Sequence, residues 1–103
     1  MGEQCKTSDI SIIQQVTGKQ GPWGTEFQVV VSNNCECAQF ELVIGCPGFN
    51  PGAPEDTRWI HRLGNGDCLI NSGYAIIRGF PIIFFYESNT QLLFTPKTSD
   101  IRC

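Results

Sequence analysis

Six cysteines in 103 residues constrain this chain more than any other feature: Cys5, Cys35, Cys37, Cys46, Cys68 and Cys103. They run from near the first residue to the last, and their number is even. A domain this small has a limited core and gains from covalent staples. In a short chain the pattern reads as a disulfide framework, which needs an oxidising compartment and implies a secreted, extracellular protein. Structural zinc is the competing use of cysteine, but such sites bring close ligand pairs twice over. Here Cys35-Glu36-Cys37 is the one close pair, and the sole histidine, His61, stands well away from any cysteine. No metal ligand and no cofactor is expected.

Six cysteines allow fifteen pairings, and spacing alone does not choose among them. Geometry removes some. If residues 38–45 form an extended strand, Cys37 and Cys46 stand roughly 30 Å apart at about 3.3 Å per residue, whereas a disulfide needs Cα atoms within about 7 Å. A hairpin between the Ile10 and Phe27 segments gathers Cys5, Cys35 and Cys37 at one end and leaves Cys46 at the other. Cys46 is then expected to join Cys68 or Cys103, and Cys5 to join Cys35 or Cys37.

The length fits one domain, taken as residues 4–103, with polar Met1-Gly2-Glu3 reading as an expression start in place of a leader. No apolar run approaches the length of a membrane span. A net charge of −3 with both signs scattered argues against nucleic acid and anionic membrane surfaces.

The apolar pattern has a period of two. Phe27, Val29 and Val31 alternate with Glu26, Gln28 and Ser32; Phe40, Leu42 and Ile44 alternate with Glu41, Val43 and Gly45; Ile10 and Ile12 alternate with Asp9 and Ser11. Each run reads as a half-buried strand. Turn signals lie between: Gly18 to Gly24, Pro47 to Pro54, Gly64-Asn65-Gly66-Asp67 and Asn71-Ser72-Gly73. Ser88-Asn89-Thr90 separates Phe84-Phe85-Tyr86 from Leu92-Leu93-Phe94 and predicts a further β-hairpin. The expected fold is an all-β, disulfide-stapled antiparallel sandwich of about seven or eight strands. The irregular stretch from Cys46 to about Glu55 is its longest loop.

No catalytic residue is expected, and the chain reads as a binding protein. His61 sits beside Arg62 with no Ser or Cys in a nucleophile motif, and Glu55, Asp56 and Asp67 read as turn-capping or solvated rather than as an acid/base pair. Arg58, Trp59, His61 and Arg62 form a short basic-aromatic segment, and Trp and Arg are frequent interface anchors. They are the expected partner-binding residues. An alternative is a carbohydrate or cell-wall module in which Trp23 and Tyr74 stack on sugar rings. Asp67-Cys68-Leu69-Ile70-Asn71-Ser72-Gly73 reads as architecture, with Gly73 supplying a positive φ.

These residues in this order resemble the plant tapetum determinant family. The matching pieces are Cys5 with Ser8-Asp9-Ile10-Ser11-Ile12, Phe27-Gln28-Val29-Val30-Val31 leading to Asn34-Cys35 and Cys37, Cys46-Pro47-Gly48-Phe49, Asp67 through Gly73, Ile82-Ile83-Phe84-Phe85-Tyr86, and Cys103. One departure is the single residue, Glu36, between the second and third cysteines. The resemblance implies a secreted signalling protein of the plant apoplast, a ligand for the ectodomain of a leucine-rich-repeat receptor kinase in cell-fate or reproductive development. A compact β-domain suits the concave face of such a solenoid.

Overall fold

The computed structural model describes residues 5–49 and 57–103. Met1–Glu3, Glu55, Asp56 and the middle of the loop after Cys46 lie outside the described residues. Seven strands are present among them: β1 Ile10–Gly21, β2 Gly24–Asn33, β3 Ala38–Gly45, β4 Ile60–Gly64, β5 Asp67–Ile70, β6 Ile82–Ser88 and β7 Thr95–Arg102. They form two antiparallel sheets, ordered β1-β2-β6 and β4-β5-β3-β7. The all-β sandwich and its strand number match the reading of the sequence.

β2 organises the first sheet because its alternation is uninterrupted. Phe27, Val29, Val31 and Asn33 are buried, while Glu26, Gln28, Val30 and Ser32 take the other face. It pairs with β1 through a tight turn at Pro22-Trp23 and with β6 over seven consecutive residues. Gly24 has φ +125, and a Cβ there would lie 2.5 Å from the Ser88 carbonyl carbon. Only glycine combines that dihedral with so close an approach.

The inward rows of the two sheets meet in one core. Phe84, Leu42, Ile44, Ile60, Ile70, Ile76, Val29 and Val31 are wholly buried in it. Each contributes about 1.5–3 kcal/mol relative to exposure. Aromatic rings fill one part: Tyr86 stacks on Phe27 at 5.1 Å and meets Phe94 edge-on at 5.5 Å, with Phe49 and Phe84 packed around them.

Two expectations need correction. In β3, Leu42 and Ile44 point inward, but Phe40 does not; wholly buried Gln39 takes the inward place before them. The cause is a bulge. Glu41 has φ 52, and the register with β7 shifts between Phe40 and Val43, which turns the alternation over. Phe40 lies outside, beneath the Arg102 guanidinium at 5.0 Å.

The second correction concerns Leu92-Leu93-Phe94, which forms no strand with β6. β6 pairs with β2 and β7 with β3, so residues 89–94 cross from one sheet to the other. Side chains replace the strand partner that Leu92 lacks. Its N–H donates to Tyr86 Oη at 3.0 Å, and its carbonyl accepts from Gln14 Nε2 at 2.7 Å. Tyr86 Oη in turn donates to Gln14 Oε1. A buried backbone group must find a partner, and this ring of three supplies it.

The three disulfides are Cys5–Cys35, Cys37–Cys103 and Cys46–Cys68, a pairing within those the strand geometry left open. No cysteine is free. Cys37–Cys103 closes the end of the β3–β7 pair, where Ala38 faces Arg102. It spans 66 residues of sequence, against 22 for Cys46–Cys68. Chain entropy therefore makes it the stronger staple, at about 4 kcal/mol against about 3.

Replacing both Cys37 and Cys103 with serine should cost more, in urea unfolding, than replacing Cys46 and Cys68. Tyr86→Phe should cost about 1–3 kcal/mol, because the Leu92 N–H and the Gln14 Oε1 lose their partner. Burial raises the Tyr86 phenol above its ordinary value, the Leu92 N–H pulling weakly the other way. The fold favours the neutral phenol, so this stabilisation is complete below the unfolded value of 10.0 and is lost as pH rises through the raised one. Unfolding titrations above pH 10.0 should show a steeper loss in the wild type than in Tyr86→Phe.

Candidate interaction surface

One end of the sandwich is fixed by two buried amides. Asn33 closes β2 with its side chain turned inward. Its Nδ2 donates to the Cys37 carbonyl at 2.8 Å and the Ile76 carbonyl at 2.9 Å, and its Oδ1 accepts from the Cys35 N–H at 2.9 Å. Gln39 donates through Nε2 to the Lys6 carbonyl at 3.0 Å and accepts from Ser99 Oγ at 2.7 Å. Ser99 Oγ shares a further hydrogen bond with Thr7 Oγ1. Gln39 and Ile76 also exchange both backbone hydrogen bonds. Cys5–Cys35 and Cys37–Cys103 lie at this same end. The N-terminal segment, the β2–β3 turn, β7 and the segment after β5 are thereby bound to one another.

That last segment, Tyr74–Phe80, is what the end displays. Ile76 is its buried anchor, while Tyr74 is 73% and Phe80 72% exposed, with Ile77 partly exposed between them. The Phe80 N–H donates to the Ile77 carbonyl at 2.9 Å, closing a tight turn. Gly79 in that turn has φ +89, and exposed Arg78 stands beside it.

Backbone strain gathers just before it. Asn71, Ser72 and Gly73 are three successive residues at positive φ (57, 55 and 84). A Cβ at Gly73 would sit 2.9 Å from Glu41 Oε2, and Glu41 is itself the left-handed residue of β3. Left-handed non-glycine residues cost about 1–3 kcal/mol each and persist where surroundings over-determine them. Here the surroundings are hydrogen bonds. The Asn71 N–H donates to the Trp59 carbonyl at 2.9 Å, Ser72 Oγ to the Arg58 carbonyl at 3.1 Å and Asn71 Nδ2 to the Ala75 carbonyl at 3.1 Å. These bonds join the Arg58-Trp59 turn to the base of the Tyr74–Phe80 segment.

Residues 6–103 match the family described as "Tapetum determinant 1, C-terminal". The chain belongs to the tapetum determinant family. "TPD1 protein homolog 1" of Arabidopsis thaliana is 26% identical over 91 residues, which cover 86% of this chain and 51% of that protein. "TPD1 protein homolog 1A" of Oryza sativa subsp. japonica is 30% identical over 94 residues, covering 82% of this chain and 42% of that protein. The chain thus spans about half the length of the curated relatives it matches. No solved structure matches it.

In this tapetum determinant chain the residues singled out by sequence are only partly brought together. Arg58 is exposed, its guanidinium 5.1 Å above the Trp59 ring, and half-buried Trp59 packs against the core. His61 and Arg62 are exposed on β4, leading away from that turn. Trp23 lies elsewhere. It occupies the β1–β2 turn, 40% exposed, at the start of β2, whereas Tyr74 belongs to the end where β2 finishes. Nine strand steps separate those ends, roughly 30 Å, so Trp23 and Tyr74 do not share one short glycan. Asp67 is engaged with Lys97 at 2.8 Å. Ile77, Arg78 and Phe80 escaped the sequence reading. Their only signal was Arg78-Gly79 and Pro81 interrupting an apolar run.

Asn33→Ala should cost roughly 3 kcal/mol, since it strands two buried carbonyls and an N–H. Tyr74→Ala and Phe80→Ala should stay within about 0.5 kcal/mol of wild type, as exposed positions do. Chemical denaturation of the three variants compares them directly.

Proposed function

We propose that this chain is a secreted signalling ligand of the plant apoplast that binds the leucine-rich-repeat ectodomain of a receptor kinase. Family membership supports a plant signalling role. The observation that carries the reading is the disulfide-bound end of the sandwich, where Tyr74, Ile77, Arg78 and Phe80 are exposed on a segment whose base is tied to the Arg58 carbonyl through Ser72. Exposed aromatic and arginine side chains are the usual anchors of protein interfaces. Holding them on a disulfide-bound base limits the ordering cost of association. An interface of standard size needs about 800 Å² from each partner, so a partner seated on this end would also reach neighbouring surface. The disulfides support an extracellular address.

Biolayer interferometry of the oxidised chain against a panel of plant leucine-rich-repeat receptor ectodomains tests this reading. One or more ectodomains should bind. Tyr74→Ala with Phe80→Ala should weaken that binding by about a hundredfold or more, as loss of two anchors does, with circular dichroism unchanged. Wild-type affinity in the double variant would place the interface elsewhere, and the Arg58→Ala, Arg62→Ala pair would then decide whether the basic segment carries it.

A further inference from the structure

A two-sheet sandwich has four edge strands, and each edge is a template for another strand unless something blocks it. Two edges here are blocked, and a third is blocked in its second half. β1 pairs without a break with β2 from Ile10–Asn33 to Val16–Phe27, then shifts register between Val16 and Gln20, with Lys19 inside the shift. β4 has five residues, His61 and Arg62 among them. β7 holds Pro96, Lys97, Asp100 and Arg102 and shifts register twice against β3. β6 has none of these features. Ile82 to Tyr86 is uncharged and free of proline, and its pairing with β2 is unbroken from Thr25–Ser88 to Val31–Ile82. Among the described residues no strand pairs with its other side.

The outward face beside that edge is apolar as well. Ile13, Val30 and Ile83 form a row across the three strands. Phe85 lies two residues further along β6. Ile13 is 61%, Ile83 43% and Phe85 46% exposed.

We propose that β6 pairs antiparallel with β6 of a second copy of this chain, joining two three-stranded sheets into one of six strands. The sequence of β6 suits its own reverse. A two-fold axis perpendicular to the sheet keeps inner residues opposite inner ones, which restricts the register to steps of two. With the axis at Phe84, Ile83 faces Phe85 of the second copy, and Ile82 faces Tyr86. The exposed apolar residues of each copy then cover those of the other. Such aromatic and β-branched pairs are the stabilising units of a sheet. The charge of Glu87 does not oppose itself. The two copies of Glu87 stand six residues apart in register, about 20 Å at strand spacing, beyond the screening length of about 8 Å at physiological salt. This inference is independent of the receptor reading, because it rests on the edge strand alone.

Sedimentation equilibrium of the oxidised chain, from micromolar to millimolar concentration, tests it. The apparent mass should rise from one chain toward two. Ile83→Lys and Phe85→Lys place a charge on the outer face, where both side chains are partly exposed and neither belongs to the core. Each should weaken self-association by at least about tenfold, since lysine blocks pairing at natural sheet edges, with the circular dichroism spectrum of the folded chain retained. Hydrogen exchange of the wild type supplies a second measurement should either variant misfold: β6 amides should gain protection as concentration rises. A wild type of single-chain mass throughout, a dimer unaffected by both lysines, or concentration-independent exchange in β6 would overturn the proposal.

Discussion

The bond between Cys37 and the last residue, Cys103, is the constraint on which the rest is built. It fastens the end of β3 to the end of β7 and so fixes the position of the whole β3–β7 pair. Cys5–Cys35 then pins the N-terminal segment to the turn that leads into β3. With Cys5 and Cys103 both held beside that turn, Asn33 and Gln39 are buried with hydrogen-bond partners within reach. A buried amide with missing partners destabilises a fold, and a fully satisfied one specifies it. The cross-links and the amides thus depend on each other. Sulfur brings the chain segments together, and hydrogen bonds select one arrangement of them.

The same end carries the strained residues, and the two facts are connected. Successive left-handed dihedrals at Asn71, Ser72 and Gly73 turn the chain sharply after β5. They return Ile76 to the core beside Gln39 while sending Tyr74 outward. The tightness at Gly73 against Glu41 shows how little room the alternatives have.

β2 and the β1–β2 hairpin were legible in the sequence because a strand with one buried face writes its period directly into the residue order. β3 was legible only after its bulge. Glu41 in a left-handed conformation has no signature of its own, since glutamate is not a residue that announces a positive φ, and one inserted residue moved Phe40 out and Gln39 in. The segment after Ser88 misled for a different reason. An apolar triplet behind a polar turn looks the same whether its backbone is satisfied by a neighbouring strand or, as here, by Tyr86 and Gln14 from distant positions. The candidate surface divided similarly. Tyr74 after a turn motif was readable as exposed, but Ile77 and Phe80 belong to an apolar stretch that resembles core. Only the burial of Ile76, between exposed Tyr74 and exposed Ile77, reveals that the stretch is pinned at one point and open on both sides.

Rigidity at that end bears on how such a surface binds. A flexible loop bearing two aromatics would spend part of its contact energy on becoming ordered, at roughly 0.5–1.5 kcal/mol for each side chain fixed. The backbone of the Tyr74–Phe80 segment is already held, through the Ile76 pairing with Gln39, the closed turn at Ile77–Phe80 and the bonds from Asn71 and Ser72 to the Arg58-Trp59 turn, so the cost left to a partner is that of the side chains. The strain held at Asn71 and Ser72 is a folding cost, borne before any partner arrives. What folding leaves exposed is therefore preorganised, and the stability supplied by the disulfides is what allows so small a core to carry it.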